Sequence, residues 1–586
     1  MKSRASILAL SLALLSAVQP NPTRADDELG KGHKIKHVLL ISIDGMHAVD
    51  YENCVASKTC PHLAALGGTG VNYSRTTTSR PSDSFPGLMA IVSGGSPRTV
   101  GAFYDVAYDR VLAPPKIATG NGLPGGTCNL GVVNGTQTEY EEGNEFDQSK
   151  LNGGFSGYST IDGGVKSINP DRLVRDPFNN CQPVYSWNFV RTNTIFGVIH
   201  AAGGYTAWSD KHAGYASVSG PTGTNQPSNV DDYYSPEVNS LQIVLPGLTT
   251  ANGFNCGALV PNGDNWTTDF DAIKCNDQLK VNAVLNQIHG RTHLGTSKAP
   301  VPAIFGMNFQ AVSVGQKLIS PKSATRTDAN SGGYEDAQGT PRPKMLAEIQ
   351  YVDAAIGQMV GALGHEGLLD STTIIITAKH GQSPIDPNRF FPIPGNSGNN
   401  GTPPSGFIGS LLPAVYSDPN NGLGLAEDDI SQIWLADSSR TGDAVTILEN
   451  ASTAIGLGQI YYGASLNTIF SPAGVPEHPG PCCKLREGGD PRTPDIVVIP
   501  NVGVVYTGNL KKQSEHGGFA WDDTNVMLLV SNPRMEARTV NSFVETAQVA
   551  PTILKILGLD PDALDAARLE GTPVLPFLFT NGEQNK

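Results

Sequence analysis

Short apolar runs that end abruptly in polar residues constrain this chain more than any other feature. Residues 37–43 read His-Val-Leu-Leu-Ile-Ser-Ile and stop at Asp44-Gly45. Residues 372–378 read Thr-Thr-Ile-Ile-Ile-Thr-Ala and stop at Lys379-His380-Gly381. Such a run, with no polar alternation, suits a strand buried on both faces, and strands of that kind belong to parallel sheets covered by helices. Residues 205–208 and 302–308 read the same way, the first ending in Ser209-Asp210-Lys211-His212.

Helical periods lie between these runs, at 61–69, 84–94, 194–202, 278–289 and 343–363. The last carries Met345, Ile349, Val352, Ile356, Val360 and Leu363 at core spacing. Further helices are predicted at about 425–436, 440–455 and 541–557, and further strands at 495–499 and 525–531. Strands alternating with helices predict an α/β fold, with a mostly parallel sheet and helices on both faces. One domain over 36–577 accommodates the pattern, with loop-rich insertions at about 100–185, 213–268 and 387–490. The 66 glycines and 42 prolines fit those loops.

The termini and cysteines point to export. Lys2 and Arg4 precede an apolar run from Ala5 to Val18, and Thr23-Arg24-Ala25 has small residues where a signal cleavage needs them. Residues 1–25 are therefore expected to be a signal peptide and the protein to be secreted or periplasmic. The run is too short for a comfortable membrane span. The chain has a net charge of −14, and loss of Lys2, Arg4 and Arg24 with that segment takes it to −17. Such acidity disfavours a nucleic-acid duplex as partner, since phosphate repulsion must first be overcome. Eight cysteines in an exported chain suggest disulfides. Proximity favours Cys54–Cys60 and Cys256–Cys275, which leaves Cys128–Cys181 and the adjacent Cys482 and Cys483.

In an open α/β sheet, ligands bind beyond the carboxyl ends of the strands. Asp44, the group Asp210-Lys211-His212, and Lys379-His380 all sit at such ends, and His516 lies in the loop before strand 525–531. Ser84 opens the helix at 84–94 and is the expected nucleophile. A helix start offers free N–H donors and positive potential to a phosphate. No G-x-S-x-G elbow surrounds Ser84, so metal activation of its hydroxyl is expected instead of a hydrolase triad.

Taken in order, Ile43-Asp44-Gly45-Met46, Pro81-Ser82-Asp83-Ser84-Phe85-Pro86, Ala378-Lys379-His380-Gly381 and Glu515-His516-Gly517-Gly518 resemble the alkaline phosphatase superfamily. The branch they resemble is the type I phosphodiesterase/nucleotide pyrophosphatase family. Gln548-Val-Ala-Pro-Thr552 and Leu557-Gly558-Leu559 resemble its C-terminal signature. The resemblance implies an alkaline-phosphatase-like fold and a hydrolase of small phosphodiesters or phosphate esters. It implies a metal bound by Asp44, Ser84 and His380, with His516 matching a ligand of a second metal.

Two departures stand out. The family's Asp-His-Gly has Lys379 in the Asp position. Its Asp-x-x-x-His element after strand 302–308 is replaced by Asn308-Phe-Gln310-Ala-Val-Ser-Val-Gly315-Gln316. The expected cofactor is therefore a divalent ion, zinc first, with one ion preferred to two. Lys379 and Lys211 would bind the substrate's charge; alternatively Asp210 and His212 would complete a second metal site. Asp522 and Asp523 could orient His516 or, equally, belong to a turn, and Asp353 reads as a surface or helix–loop contact. A phosphonate hydrolase stays open through Lys211, whose surroundings resemble phosphonoacetate hydrolases. A sulfatase is disfavoured because Ser84-Phe-Pro-Gly-Leu88 lacks the maturation arginine. A binding protein that has lost catalysis is the remaining alternative.

Overall fold

The computed structural model describes residues 34–120, 122–140, 143, 145–147, 164–319, 330–393, 402–413, 427–466, 490–506 and 512–579. The expected signal peptide and Cys482–Cys483 lie outside these residues.

Eight strands form the central sheet: β1 (His37–Ile43), β2 (Gly70–Tyr73), β3 (Ala207–Ser209), β4 (Asp232–Tyr234), β5 (Ile304–Phe309), β6 (Thr372–Thr377), β7 (Leu529–Ser531) and β8 (Arg538–Val540). Their order is β8-β2-β7-β6-β1-β5-β3-β4. Only β7 runs against the others, pairing antiparallel with both β6 and β2. The neighbouring strands β6, β1, β5 and β3 are parallel, so their carboxyl ends share one edge.

Alternate residues of β1 feed opposite cores. Val38 and Leu40 join the layer that contains helices α1 (Ser84–Ser93) and, near the C-terminus, α5 (Val549–Ile556). Leu39, Ile41 and Ile43 face α2 (Phe270–Ile288) and α4 (Pro343–His365), with the shorter α3 (Ala311–Lys317) between β5 and α4. Each fully buried Leu or Ile contributes about 1.5–3 kcal/mol. Burial on both faces explains the uninterrupted apolar runs. The expected helix at 278–289 starts earlier, at Phe270, because the Asp269 carboxylate accepts from the Asp271 and Ala272 amides at 2.8 Å each.

Three expectations need correction. The predicted helix at 425–436 contains instead the strand Ser431–Ile433, which pairs with Ile496–Pro500 in a separate three-stranded sheet. Ile433 and Trp434 there enter a third hydrophobic core, so the insertion around 387–490 carries packing of its own. The predicted strand 525–531 divides into Asn525–Val526 and β7. The predicted helix 541–557 is helical only from Thr546, as a 3₁₀ turn leading into α5. By contrast, the 100–185 insertion forms no core of its own among the described residues: Leu112, Tyr140 and Leu173 pack into the main layer.

Among the described residues three disulfides join Cys54–Cys60 and Cys256–Cys275, the pairs favoured by proximity, and Cys128–Cys181, the pair those two left. No helix among the described residues is long and apolar enough to cross a membrane. Asp353 is buried and accepts from the His62 and Leu63 amides, at 3.3 and 2.7 Å, capping the helix Pro61–Gly67.

Candidate active site

Helix α1 brings Ser84 to the shared edge of the sheet, and a glycine permits the approach. A Cβ on Gly87 would lie 2.1 Å from the Lys379 carbonyl oxygen, so only glycine lets α1 rest on the segment leaving β6. Asp83 is the N-cap of α1 and Ser84 its first residue. Two of the expected amides are not free. The Phe85 N–H donates to Asp105 Oδ1 at 2.7 Å, and Pro86 has no N–H.

Ser84 Oγ lies between two nitrogens. His380 Nε2 is 3.2 Å away on one side, and Lys211 Nζ donates at 3.2 Å on the other. His380 Nδ1 faces the Gly381 carbonyl at 2.9 Å, which accepts only. Nδ1 therefore carries the proton, and in the neutral ring Nε2 is the acceptor for the Ser84 hydroxyl. Two residues brought together from β6 and β3 thus address one hydroxyl on α1.

Asp44, one residue beyond β1, organises the rest. Its Oδ2 accepts from Asn308 Nδ2 at 3.2 Å and Gln310 Nε2 at 2.5 Å. Lys379 Nζ is 3.4 Å from the same oxygen, His380 Nε2 3.6 Å and Lys211 Nζ 3.9 Å. Burial would raise its pKa, but Lys379, His380 and Lys211 hold Asp44 well below the usual carboxylate range. Asp44 Oδ1 is buried and has no hydrogen-bond partner among the described residues.

Lys379 is fully buried, between Asp44 Oδ2 and Asp210 Oδ1 at 3.4 and 3.5 Å, with its ammonium 4.0 Å from the Tyr215 ring centre. It is an internal counter-ion, whereas substrate contact was the expectation. Asp210 also accepts from Trp208 Nε1 at 2.9 Å. His212 turns away to Glu237, at 2.6 Å. Asp210 and His212 are therefore engaged elsewhere and do not complete a second metal site.

His516 lies beside His380, ring centres 4.0 Å apart and the rings tilted by 33°, and its Nδ1 lies 2.9 Å from Asp83 Oδ1 without hydrogen-bond alignment. Burial, with His380 and Lys317 nearby, holds its pKa well below the usual histidine value. Asp522 and Asp523 do not orient it: they accept from the Ile385 and Ala520 amides. Asp83 and Asp105 form a buried acid pair, Asp83 Oδ2 accepting from the Asp105 amide at 2.7 Å. Burial and the Asp83 charge push Asp105 up to about 8.

Sequence reasoning missed Asp83, Asp105 and Tyr215 as parts of the site. Asp83 adjoins Ser84, and Tyr215 follows Lys211 by four residues, so spacing offered a signal for both. Asp105 lies in an aperiodic loop that offered none.

The donor set does not fit the single divalent ion expected from the sequence. Of the two Asp44 oxygens, Oδ2 already receives two amide N–H groups, which leaves only Oδ1 to a metal. The residues in place of the Asp-x-x-x-His element are those donors: Asn308 and Gln310 toward Asp44, and Gln316 Nε2 toward the Gly45 carbonyl at 2.6 Å. An ion bonded to Ser84, Asp44 and His380 would also lie within about 5.5 Å of both ammonium groups. At an effective dielectric constant of about 20 each ammonium then repels a dication by about 6 kcal/mol. Among the described residues, no group of three or more His, Cys, Asp or Glu is arranged to hold a metal.

An open, mostly parallel sheet that gathers serine, histidine, lysine and carboxylates at its carboxyl edge has an alkaline-phosphatase-like architecture. The profile of the type I phosphodiesterase/nucleotide pyrophosphatase family matches residues 38–124 and 330–523, which hold Asp44, Ser84, Lys379, His380 and His516. Over those two blocks the chain is similar to that family of phosphodiesterases and pyrophosphatases. No curated protein matches it in sequence.

Among solved structures, it resembles murine ectonucleotide pyrophosphatase/phosphodiesterase 5, an inactive form in complex with AMP. The TM-score is 0.50 at 13% identity, covering 90% of this chain and 96% of that one. The human counterpart gives a TM-score of 0.48 at 13% identity, covering 89% and 95%. Alkaline phosphatase PafA gives 0.45 at 11%, covering 89% and 96%.

Proposed function

We propose that this protein is an exported hydrolase of phosphodiesters or phosphate esters that works through Ser84. The observation that carries the reading is the serine hydroxyl held at 3.2 Å from both His380 Nε2 and Lys211 Nζ. A serine hydroxyl is a weak nucleophile until a base takes its proton and a charge steadies the alkoxide. His380 Nε2 supplies the first and Lys211 the second.

In the first step Ser84 Oγ bonds to phosphorus while its proton passes to His380 Nε2. The bond to the ester oxygen opposite breaks, and that oxygen takes a proton from solvent. In the second step water attacks the phosphoserine, the Ser84 Oγ–phosphorus bond breaks, and the proton held by His380 returns to Oγ. The water's spare proton goes to solvent. Asp44 Oδ2, 3.6 Å from Nε2, favours the imidazolium formed between the two steps. The ammonium of Lys211 would meet a non-bridging phosphoryl oxygen, and the family relationship supports phosphate as the group attacked.

The AMP complex of the murine relative supports nucleotide-type esters as early substrates to try. The three disulfides support export. The test is hydrolysis of a bis-aryl phosphate by the wild type and by Ser84→Ala. The variant should lose at least about a thousandfold in kcat while keeping its circular dichroism. Undiminished turnover would remove Ser84 from the role.

A further inference from the structure

We infer that the two ammonium groups of Lys211 and Lys379 do the electrostatic work of a metal ion in this protein, so that its Ser84 chemistry needs no divalent cation. The inference rests on the phosphoester hydrolase reading and deepens it.

Three observations converge on it. First, the side chain in the Asp position of the family's Asp-His-Gly is not merely absent as a ligand but reversed in charge. Lys379 Nζ is buried 3.4 Å from Asp44 Oδ2 and 3.5 Å from Asp210 Oδ1, and makes no hydrogen bond among the described residues. An ammonium so placed neutralises the carboxylates that would otherwise demand a cation. Second, Asp44 Oδ2, the oxygen 3.6 Å from His380 Nε2, receives N–H donors from Asn308 and Gln310. Amide donors consume lone pairs where metal ligands would contribute them. Third, Lys211 reaches Ser84 Oγ itself at 3.2 Å, where a metal would have to bond to lower the hydroxyl's pKa. A positive charge at that distance favours the alkoxide by the same electrostatics, through a hydrogen bond in place of a coordinate bond. Tyr215 supports both cations, its ring centre 4.0 Å from Lys379 Nζ and 5.3 Å from Lys211 Nζ.

The experiment uses the full mature protein, purified without chelator and then incubated with zinc and desalted. Metal is counted by plasma mass spectrometry, and bis-aryl phosphate hydrolysis is followed with and without EDTA. Expected are fewer than about 0.1 ion per chain, a melting temperature unmoved by zinc, and hydrolysis unchanged by EDTA. Lys379→Asp, which restores a carboxylate beside Asp44 and His380, should gain zinc toward one ion per chain.

About one ion per wild-type chain, with hydrolysis lost to EDTA and restored by zinc, would overturn the inference and leave the hydrolase reading standing. Absence of hydrolysis under every metal condition would overturn the hydrolase reading and with it the claim of metal-free catalysis. Should Lys379→Asp fail to fold, the wild-type metal count and the EDTA series decide the matter alone.

Discussion

Two buried clusters of lysine and carboxylate flank the end of β5, and they are built differently. On one side Lys280 pairs with Asp277 at 2.8 Å and donates to the Asn308 carbonyl at 2.6 Å, while Asp277 Oδ2 accepts from the Gln310 and Ala311 amides at 2.8 Å each. On the other, Lys379 approaches two carboxylates no closer than 3.4 Å and makes no hydrogen bond among the described residues, while Asp44 keeps one oxygen unpartnered. The first cluster is tied to backbone and holds the start of α3. The second faces the serine and retains unused charge and hydrogen-bonding capacity. Asp277 Oδ1 also lacks an aligned hydrogen bond among the described residues, although Lys280 lies 2.8 Å from it. Neither burial nor an unpartnered oxygen therefore sets the clusters apart; the place of the second beside Ser84 does.

The sharpest way to break this comparison is to remove one cation from each cluster. Lys280→Met leaves Asp277 buried without its partner and should cost about 3–5 kcal/mol of stability. The folded fraction should keep its kcat/KM within about threefold, a range set by the absence of contact with the reacting atoms. Chemical denaturation and initial rates measure the two. A large loss of kcat/KM in folded protein would erase the distinction.

Lys211→Met should do the reverse. Loss of the charge at Ser84 Oγ is expected to lower kcat by about 10²–10³, or about 2.7–4 kcal/mol, with little change in the denaturation midpoint. An unaltered kcat would move Lys211 out of the machinery.

A third ion pair sharpens the structural side. Arg191 grips Asp490 with both terminal nitrogens, at 2.6 and 2.7 Å. Burial opposes ionisation, yet Arg191 holds the Asp490 carboxyl below its ordinary pKa. A depressed carboxyl contributes stability above its unfolded value of about 3.9 and loses it as pH falls from there through the folded value. Asp490→Asn should lower stability at neutral pH by about 1.5–3 kcal/mol and flatten the acid limb below about pH 4. Thermal melts of both proteins across that range test it; identical acid limbs would contradict the coupling.

The smallest effect is expected from Asp353→Asn, which weakens the cap on the helix Pro61–Gly67 by about 1 kcal/mol and should leave hydrolysis unchanged. Equilibrium denaturation reads the first, initial rates the second.

Much of this was legible in sequence because it depends on local pattern. The runs 37–43 and 372–378 are apolar throughout because both faces of their strands are covered, and each ends in the polar residues that face the site. Ser84 was legible because it opens a helix, and the family resemblance joined it to Asp44, His380 and His516. The strand Ser431–Ile433 was misread because its apolar residues lie in a short run that helix and strand periods fit equally well.

The site's charge balance was out of reach for a different reason. Whether Lys379 meets substrate or carboxylate depends on Asp210, which arrives from a strand three places away in the sheet. The roles of Asn308 and Gln310 depend on β5 lying beside β1 in the observed register. Asp105 comes from a loop without periodicity, and nothing local announces that it will take the Phe85 amide.

The sequence by itself thus determined the layered sheet, its polar carboxyl edge and the serine at a helix start, since these follow from hydrophobic period and local conformational preference. Only the tertiary structure decided that two lysines, two amides and a paired acid would surround that serine. Strand order brings together residues hundreds of positions apart, and electrostatics acts over ångströms in space, with no regard to separation along the chain.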